Sequence, residues 1–273
     1  MPKYLLALLI LLLGCQKGPT HFHGVAHTHP YRIQIGKTLS KKESIAIEQL
    51  IAALFEEVGE HYNHWNPEST LSKDPHHPRL TPLLSLARHF QSLTKGRYHP
   101  QLKGPLHLLK TTGTLPSQNH PPLYDLDGML KGYLLDRLSE ALLAKGYSDF
   151  YLEWGGEILV SGKHPSGRRW RVLIFDTPTE VENCALATSG CSEQLFRIEG
   201  KLYTHIMDPH SQKIVEVAPG KVHTVTVRAS SGALADALAT ACMTCSSSEE
   251  ALSFANEMKA VCGADFYFKT IEE

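Results

Sequence analysis

Phe150-Tyr151-Leu152-Glu153-Trp154-Gly155-Gly156-Glu157-Ile158-Leu159-Val160 is the stretch that decides the fold. Two short apolar runs flank a glycine pair, the pattern of a strand, a tight turn and a second strand. Another run, Trp170 to Phe175, follows a Ser166-Gly167 turn, and Val222 to Ala229 alternates apolar and polar residues. On the N-terminal side, Leu134, Leu135, Leu138, Ala141 and Leu142 make a helical stripe that Lys145-Gly146 closes. Further out, Ser40 with Glu43 is a capping-box signature, and Ile47, Leu50, Ile51, Leu54, Phe55 and Val58 fall on one helical face behind it. More helices are expected from about Thr81 to Leu93, from Ala233 to Met243, and from Ser247 to near Val261, with Tyr31 to Ile35 as the first strand. Residues 62–78 read as a loop, and residues 96–122, rich in Pro and Gly, as irregular chain with one short helix. Helices interleave with antiparallel-looking strands and do not repeat as βαβ units. The expected class is therefore α+β, mostly antiparallel sheets packed with helices, in a single domain over residues 31–273.

The N-terminus reads differently. Lys3 precedes an apolar run from Leu5 to Leu13, too short to cross a hydrocarbon core of about 30 Å as a helix. Residues 1–15 read as a signal peptide, and Leu12-Leu13-Gly14-Cys15 resembles a lipobox, with Cys15 as the lipidation site. Acyl chains there would hold a soluble domain on a membrane, facing the periplasm. Residues 16–30, polar and His-rich, read as a flexible tether.

Lys and Arg number 27 against 28 Asp and Glu, a net charge of −1 without a basic block, which argues against nucleic acid as a partner. Five of the six cysteines follow Cys15, and an odd number leaves at least one unpaired, so no disulfide framework is implied.

Two segments carry chemistry. Asp125-Leu126-Asp127-Gly128-Met129-Leu130-Lys131-Gly132-Tyr133 is a loop opening a helix, with a glycine, a lysine and a flanking carboxylate. Helix-start N–H groups with a nearby lysine suit a phosphate, although a turn closing onto a helix is the commoner meaning of such a segment alone. In Ala235-Asp236-Ala237-Leu238-Ala239-Thr240, Asp236 and Thr240 stand one helical turn apart on one face. A carboxylate and a hydroxyl so placed suit a hard cation such as Mg²⁺, or else make an ordinary helix surface.

Taken together and in order, the segments resemble the ApbE family of flavin transferases. Asp125 to Tyr133 with Asp136 is similar to the family's D-L-G-G-x-x-K-G-Y-x-x-D, and Gly155-Gly156-Glu157-Ile158 to its G-G-D/E-I. Ala187-Thr188-Ser189-Gly190 matches A-T-S-G, Tyr203-Thr204-His205-Ile206-Met207-Asp208-Pro209 matches Y-x-H-I-x-D-P, and Ala235 to Thr240 matches A-D-A-x-A-T. The N-terminal half departs more. Asp127 stands where the family has glycine, His99 and Gln101 replace the Asp and Thr of G-x-F-D-P-T, and His27-Thr28-His29 replaces M-G-T.

The resemblance implies an α+β fold with a ligand cleft between two lobes. It implies Mg²⁺-dependent transfer of FMN from FAD to a Thr or Ser hydroxyl of an acceptor flavoprotein, through a phosphoester, with AMP released. The acceptor would be a subunit such as one in a redox pump, bearing a D-x-x-T-like motif. By the same resemblance Gly128 (through its carbonyl), Asp236 and Thr240 would hold the metal, and Trp65, Asp125, Lys131 and Ile206 would contact FAD. Lys131 would also act catalytically on the pyrophosphate, and His205 would be the base for the incoming hydroxyl or, equally, a residue orienting the Asp208-Pro209 turn. Two alternatives stand beside it: a relative that binds or hydrolyses FAD without transfer, and a periplasmic metal-binding lipoprotein using His21, His23, His27 and His29 or Cys242 and Cys245. The anchor has a direct test. Cys15→Ser should leave an unprocessed precursor or release the protein from membranes, whereas unchanged membrane extraction and an unmodified cysteine by mass spectrometry would refute it.

Overall fold

The structure, a computed structural model, describes residues 18–116, 122–191 and 194–270; Cys15 and the signal peptide lie outside them. Twelve strands and seven α-helices follow one another in these residues. The chain opens with β1 (Thr20–Ala26) and β2 (His29–Ile35), then runs through α1 (Lys41–Glu57), α2 (Thr70–Lys73), α3 (Thr81–Leu93), α4 (Lys103–Thr112) and α5 (Asp127–Ala144). It continues with β3 (Phe150–Trp154), β4 (Glu157–Ser161), β5 (Trp170–Ile174), β6 (Thr177–Val181), β7 (Cys184–Gly190), β8 (Phe196–Ile198), β9 (Lys201–Asp208), β10 (Lys213–Glu216) and β11 (Val222–Ala229). Helices α6 (Gly232–Cys242) and α7 (Ser248–Cys262) and the strand β12 (Asp265–Thr270) complete it.

A seven-stranded antiparallel sheet in the order β1-β2-β3-β4-β7-β11-β12 organises the molecule. The β3–β4 hairpin pairs Trp154 with Glu157 across the Gly155-Gly156 turn, as the sequence predicts. One face of the sheet carries the main core, with Ile33, Phe150 and Leu152 packed among residues of α1, α5 and α6. The opposite face is covered locally by the β5–β6 hairpin, where Trp170, Val172, Ile174 and Val181 meet Tyr151, Val160 and Leu186. A separate three-stranded sheet, β10-β9-β8, packs Met207 and Ile214 against Leu106 and Leu109 of α4. The antiparallel α+β expectation is met.

The tether over residues 16–30 is corrected from Thr20 onward. That segment forms β1, paired with β2 from Thr20↔Ile35 to Ala26↔His29, so Tyr31 to Ile35 belongs to the second strand. Phe22 is its buried anchor. His27 and Thr28 form the two-residue turn with φ of 47° and 70°, the twist a tight hairpin requires.

Helix α6 is buried along almost its whole length, as expected for a helix apolar on every side. It crosses α5 at two glycines. A Cβ on Gly132 would stand 2.1 Å from the Gly232 carbonyl oxygen, and one on Gly232 would stand 2.4 Å from that of Gly132. Asp136 of α5 caps the start of α6 from outside, accepting the N–H groups of Gly232 at 2.6 Å and Ala233 at 2.9 Å. Ser231 adds a conventional cap by accepting from the Leu234 N–H. Overpacking a rigid contact costs about 1–3 kcal/mol, and here the obstacle is backbone. Gly132→Ala should therefore lower stability by at least about 2 kcal/mol, read as a lower urea midpoint at unchanged slope. An unchanged midpoint would mean that the helices separate freely.

Candidate active site

A cleft of about 640 Å³ opens beside the α5–α6 crossing. One wall comes from the helical segment between β2 and β3, with Trp65, Tyr98, Leu102 and Lys110. The other comes from the sheet side and the two central helices, with Trp154, Thr188, His205, Asp236 and Thr240. All the site residues that the sequence singles out in the globular part, namely Trp65, Asp125, Gly128, Lys131, His205, Ile206, Asp236 and Thr240, line this one cleft. His27, Thr28, His29 and His99, where the chain departs from the expected pattern, line it too.

The helix crossing places the oxygen donors. Thr240 Oγ1 donates to the Gly128 carbonyl at 3.5 Å, and a Cβ on Gly128 would meet that hydroxyl at 2.8 Å. Asp236, 3% exposed, accepts the Gly132 N–H on Oδ2 at 3.2 Å. In an α-helix that N–H serves the carbonyl four residues back, which is the Gly128 carbonyl, so Asp236 competes for the donor and leaves this oxygen more acceptor capacity. A backbone carbonyl, a carboxylate and a hydroxyl at one place are the hard donors that Mg²⁺ takes, with room left for phosphate oxygens or water. The residues fit the ion.

Lys131 is held for use. Its Nζ donates to Glu157 Oε1 at 2.8 Å and to the Gly155 carbonyl at 3.5 Å. Glu157 is 2% exposed, and its pKa is pushed up to about 8, chiefly by burial and further by Asp236, while Lys131 pulls it down. Asp125, also buried, is held above the usual carboxylate range by burial and by neighbouring Asp127, against the pull of His64 and Lys110. The cleft thus gathers buried carboxyl groups, two of them pushed towards their neutral forms, beside one lysine, and an added cation would favour their charged forms.

Trp65 is held by its edges and faces. Nε1 donates to Asp127 Oδ2 at 2.9 Å, Lys110 Nζ lies 4.4 Å from the ring centroid, and His107 stacks at 5.8 Å. Trp154 and His29 also line the cleft, edge to face at 6.4 Å, and Phe55 packs edge to face on Trp154 at 5.1 Å. Sequence reasoning missed His64, the Tyr98 hydroxyl and the capping role of Asp136. His64 and Tyr98 are buried polar groups whose hydrogen-bonding atoms have no hydrogen-bond partner among the described residues. Burial of a polar side chain leaves no local trace in sequence, whereas the place of Asp136 one turn beyond Gly132 was readable. Cys242 and Cys245, 0% and 4% exposed, are free thiols within the core, and His21 and His23 sit on a sheet strand and not on a tether. The metal-binding lipoprotein alternative loses its flexible ligands.

Fold and cleft define an α+β protein in which a backbone carbonyl, a carboxylate, a hydroxyl and a lysine line one cleft between aromatic side chains. The ApbE family model matches residues 28–264. An FAD:protein FMN transferase of Chlamydia pneumoniae is 34% identical, covering 94% of this chain and 95% of that protein. One of Vibrio cholerae is 28% identical, covering 87% and 85%. The flavinyl transferase ApbE of Pseudomonas stutzeri, in its apo form, shares the fold with a TM-score of 0.78 at 19% identity, over 94% of this chain and 93% of that one. This chain belongs to the ApbE family.

The contact between Gly128 and Thr240 yields a test that needs no acceptor. Gly128→Ala should drive the Thr240 hydroxyl aside and weaken Mg²⁺ binding at least tenfold by calorimetry, with the circular dichroism spectrum unchanged. Unaltered Mg²⁺ affinity would remove Gly128 and Thr240 from the metal site.

Proposed function

We propose that this chain is an FAD:protein FMN transferase that binds FAD in the cleft and passes its FMN moiety to a Thr or Ser hydroxyl of an acceptor protein. The observation that carries the reading is the convergence of Lys131, Gly128, Asp236 and Thr240 on one cleft large enough for a dinucleotide. The acceptor oxygen forms a bond to the phosphorus on the riboflavin side. The bond from that phosphorus to the bridging oxygen breaks, and AMP leaves with that oxygen. The hydroxyl proton passes to a base, for which His205 on β9, a cleft-lining residue, is the candidate. The Gly128 carbonyl, Asp236 and Thr240 would hold Mg²⁺, which would supply charge neutralisation at the pyrophosphate. Lys131 adds a fixed positive charge beside it, Asp125 and Ile206 position FAD, and Trp65 packs on the isoalloxazine. Phosphoryl transfer depends mainly on such positioning and charge.

Residues 1–15 would direct export and Cys15 would carry the lipid, leaving the domain on the periplasmic side of a membrane. No helix among the described residues is long and apolar enough to cross one. The acceptor is then a membrane-exposed flavoprotein with a D-x-x-T-like segment.

The experiment is co-expression with a candidate acceptor and intact-mass analysis for one added FMN. Asp236→Ala should abolish Mg²⁺-dependent transfer, and Lys131→Ala should lower turnover more than tenfold, about 1.4 kcal/mol of transition-state stabilisation. Trp65→Ala should raise the FAD concentration needed while sparing turnover, because stacking is similar before and during transfer. Full activity in Asp236→Ala sinks the metal assignment, and a turnover defect confined to Trp65→Ala reverses the roles.

A further inference from the structure

Beside the oxygen-donor site, His64, Asp125 and Asp127 form a second group, with one ligating atom from each within 4.8 Å of the others. His64 comes from the loop after a π-helical turn (Val58–Tyr62), and the carboxylates come from the opening of α5. The imidazole is 2% exposed, and neither ring nitrogen has a hydrogen-bond partner among the described residues. Nε2 lies 3.8 Å from Asp125 Oδ1, and Nδ1 lies 3.7 Å from Asp127 Oδ1.

Those separations are too long for hydrogen bonds, which run about 2.7–3.2 Å. The two contacts face opposite ring nitrogens, of which an ion takes only one, so a bound ion would draw the farther carboxylate in from within the 4.8 Å that encloses the three donors. With metal–ligand distances of about 2.0–2.2 Å, neighbouring donors on a tetrahedral ion stay roughly 3.4 Å apart. A buried imidazole with both nitrogens unmatched is costly, and so is a buried carboxylate beside another. One divalent cation would take one ring nitrogen and offset the paired carboxylates, leaving the other nitrogen to carry its proton. The surroundings already fix the ligands: Asp125 Oδ1 accepts the Asp127 N–H at 2.9 Å, and Asp127 Oδ2 accepts from Trp65 Nε1. Lys103 donates to the His64 carbonyl oxygen, which pins that loop.

We propose that His64, Asp125 and Asp127 bind a divalent cation of the zinc class, at a site separate from the Gly128, Asp236 and Thr240 donors. An imidazole ligand favours zinc-like ions over Mg²⁺, and three protein donors leave a fourth position open. On the proposed function, Asp125 also contacts FAD. Zinc and FAD then compete for one carboxylate, and zinc inhibits transfer by excluding the dinucleotide.

Full-length Asp236→Ala protein, stripped with a chelator, isolates this site. Dialysed against Zn²⁺, it should retain one equivalent more than the same protein carrying His64→Gln, and Co²⁺ titration should show its visible bands weakened at least tenfold in the double variant. Asp127→Asn serves as the second probe should His64→Gln fail to fold. Unchanged Zn²⁺ content and Co²⁺ spectra in a folded His64→Gln or Asp127→Asn variant overturn the site, and the imidazole is then an ion-pair clamp between two carboxylates. FAD should raise the Zn²⁺ dissociation constant. Zinc that is lost with His64→Gln yet indifferent to FAD would leave the site standing and refute Asp125 as an FAD contact.

Discussion

Two backbones touching without side chains between them set the terms for the rest of this molecule. At the Gly132–Gly232 crossing, α5 and α6 come closer than any residue with a Cβ would allow. That proximity lets Asp136 reach across to finish α6 and lets Asp236 reach back to the Gly132 N–H. The Gly128 carbonyl and Thr240 hydroxyl meet one turn further along. The donors are therefore held by rods packed into the core, and a rigid frame of this kind lowers the cost of organising them when ligand arrives.

The same closeness brings carboxyl groups together. Asp125, Asp236 and Glu157 are all buried beside one cleft, with Lys131 tied to Glu157. Without ligand such charges oppose each other and resist burial, as the raised pKa values of Asp125 and Glu157 record. The site gives up stability for readiness, since a cation and a bound pyrophosphate would rearrange these same partners.

Local patterns were legible in the sequence, and long-range ones were not. The spacing of Asp236 and Thr240 survives into structure because one helical turn fixes it. Gly155-Gly156 turns as expected because a glycine pair between apolar runs has few other uses. The helix crossing was invisible, because Gly132 and Gly232 lie far apart in the chain and glycine has many roles. Strand β1 was missed for a specific reason. It is an edge strand with Phe22 as its single buried side chain, so it shows no alternation. Its turn uses His27 and Thr28 at positive φ, where Asn and Gly would have signalled a hairpin. His64 escaped notice because one histidine among sixteen says nothing of what surrounds it.

The early start of β1 also sets a length. Pairing of β1 with β2 starts at Thr20, five residues after Cys15. A fully extended stretch of five residues reaches at most roughly 18 Å. An acyl chain on Cys15 would thus hold the Thr20 end of β1 near the lipid headgroups, with the His27-Thr28 turn and the cleft it lines at the other end of the strand, roughly 23 Å further on. The domain would sample a thin layer of solvent, and an acceptor would have to present its hydroxyl within that layer.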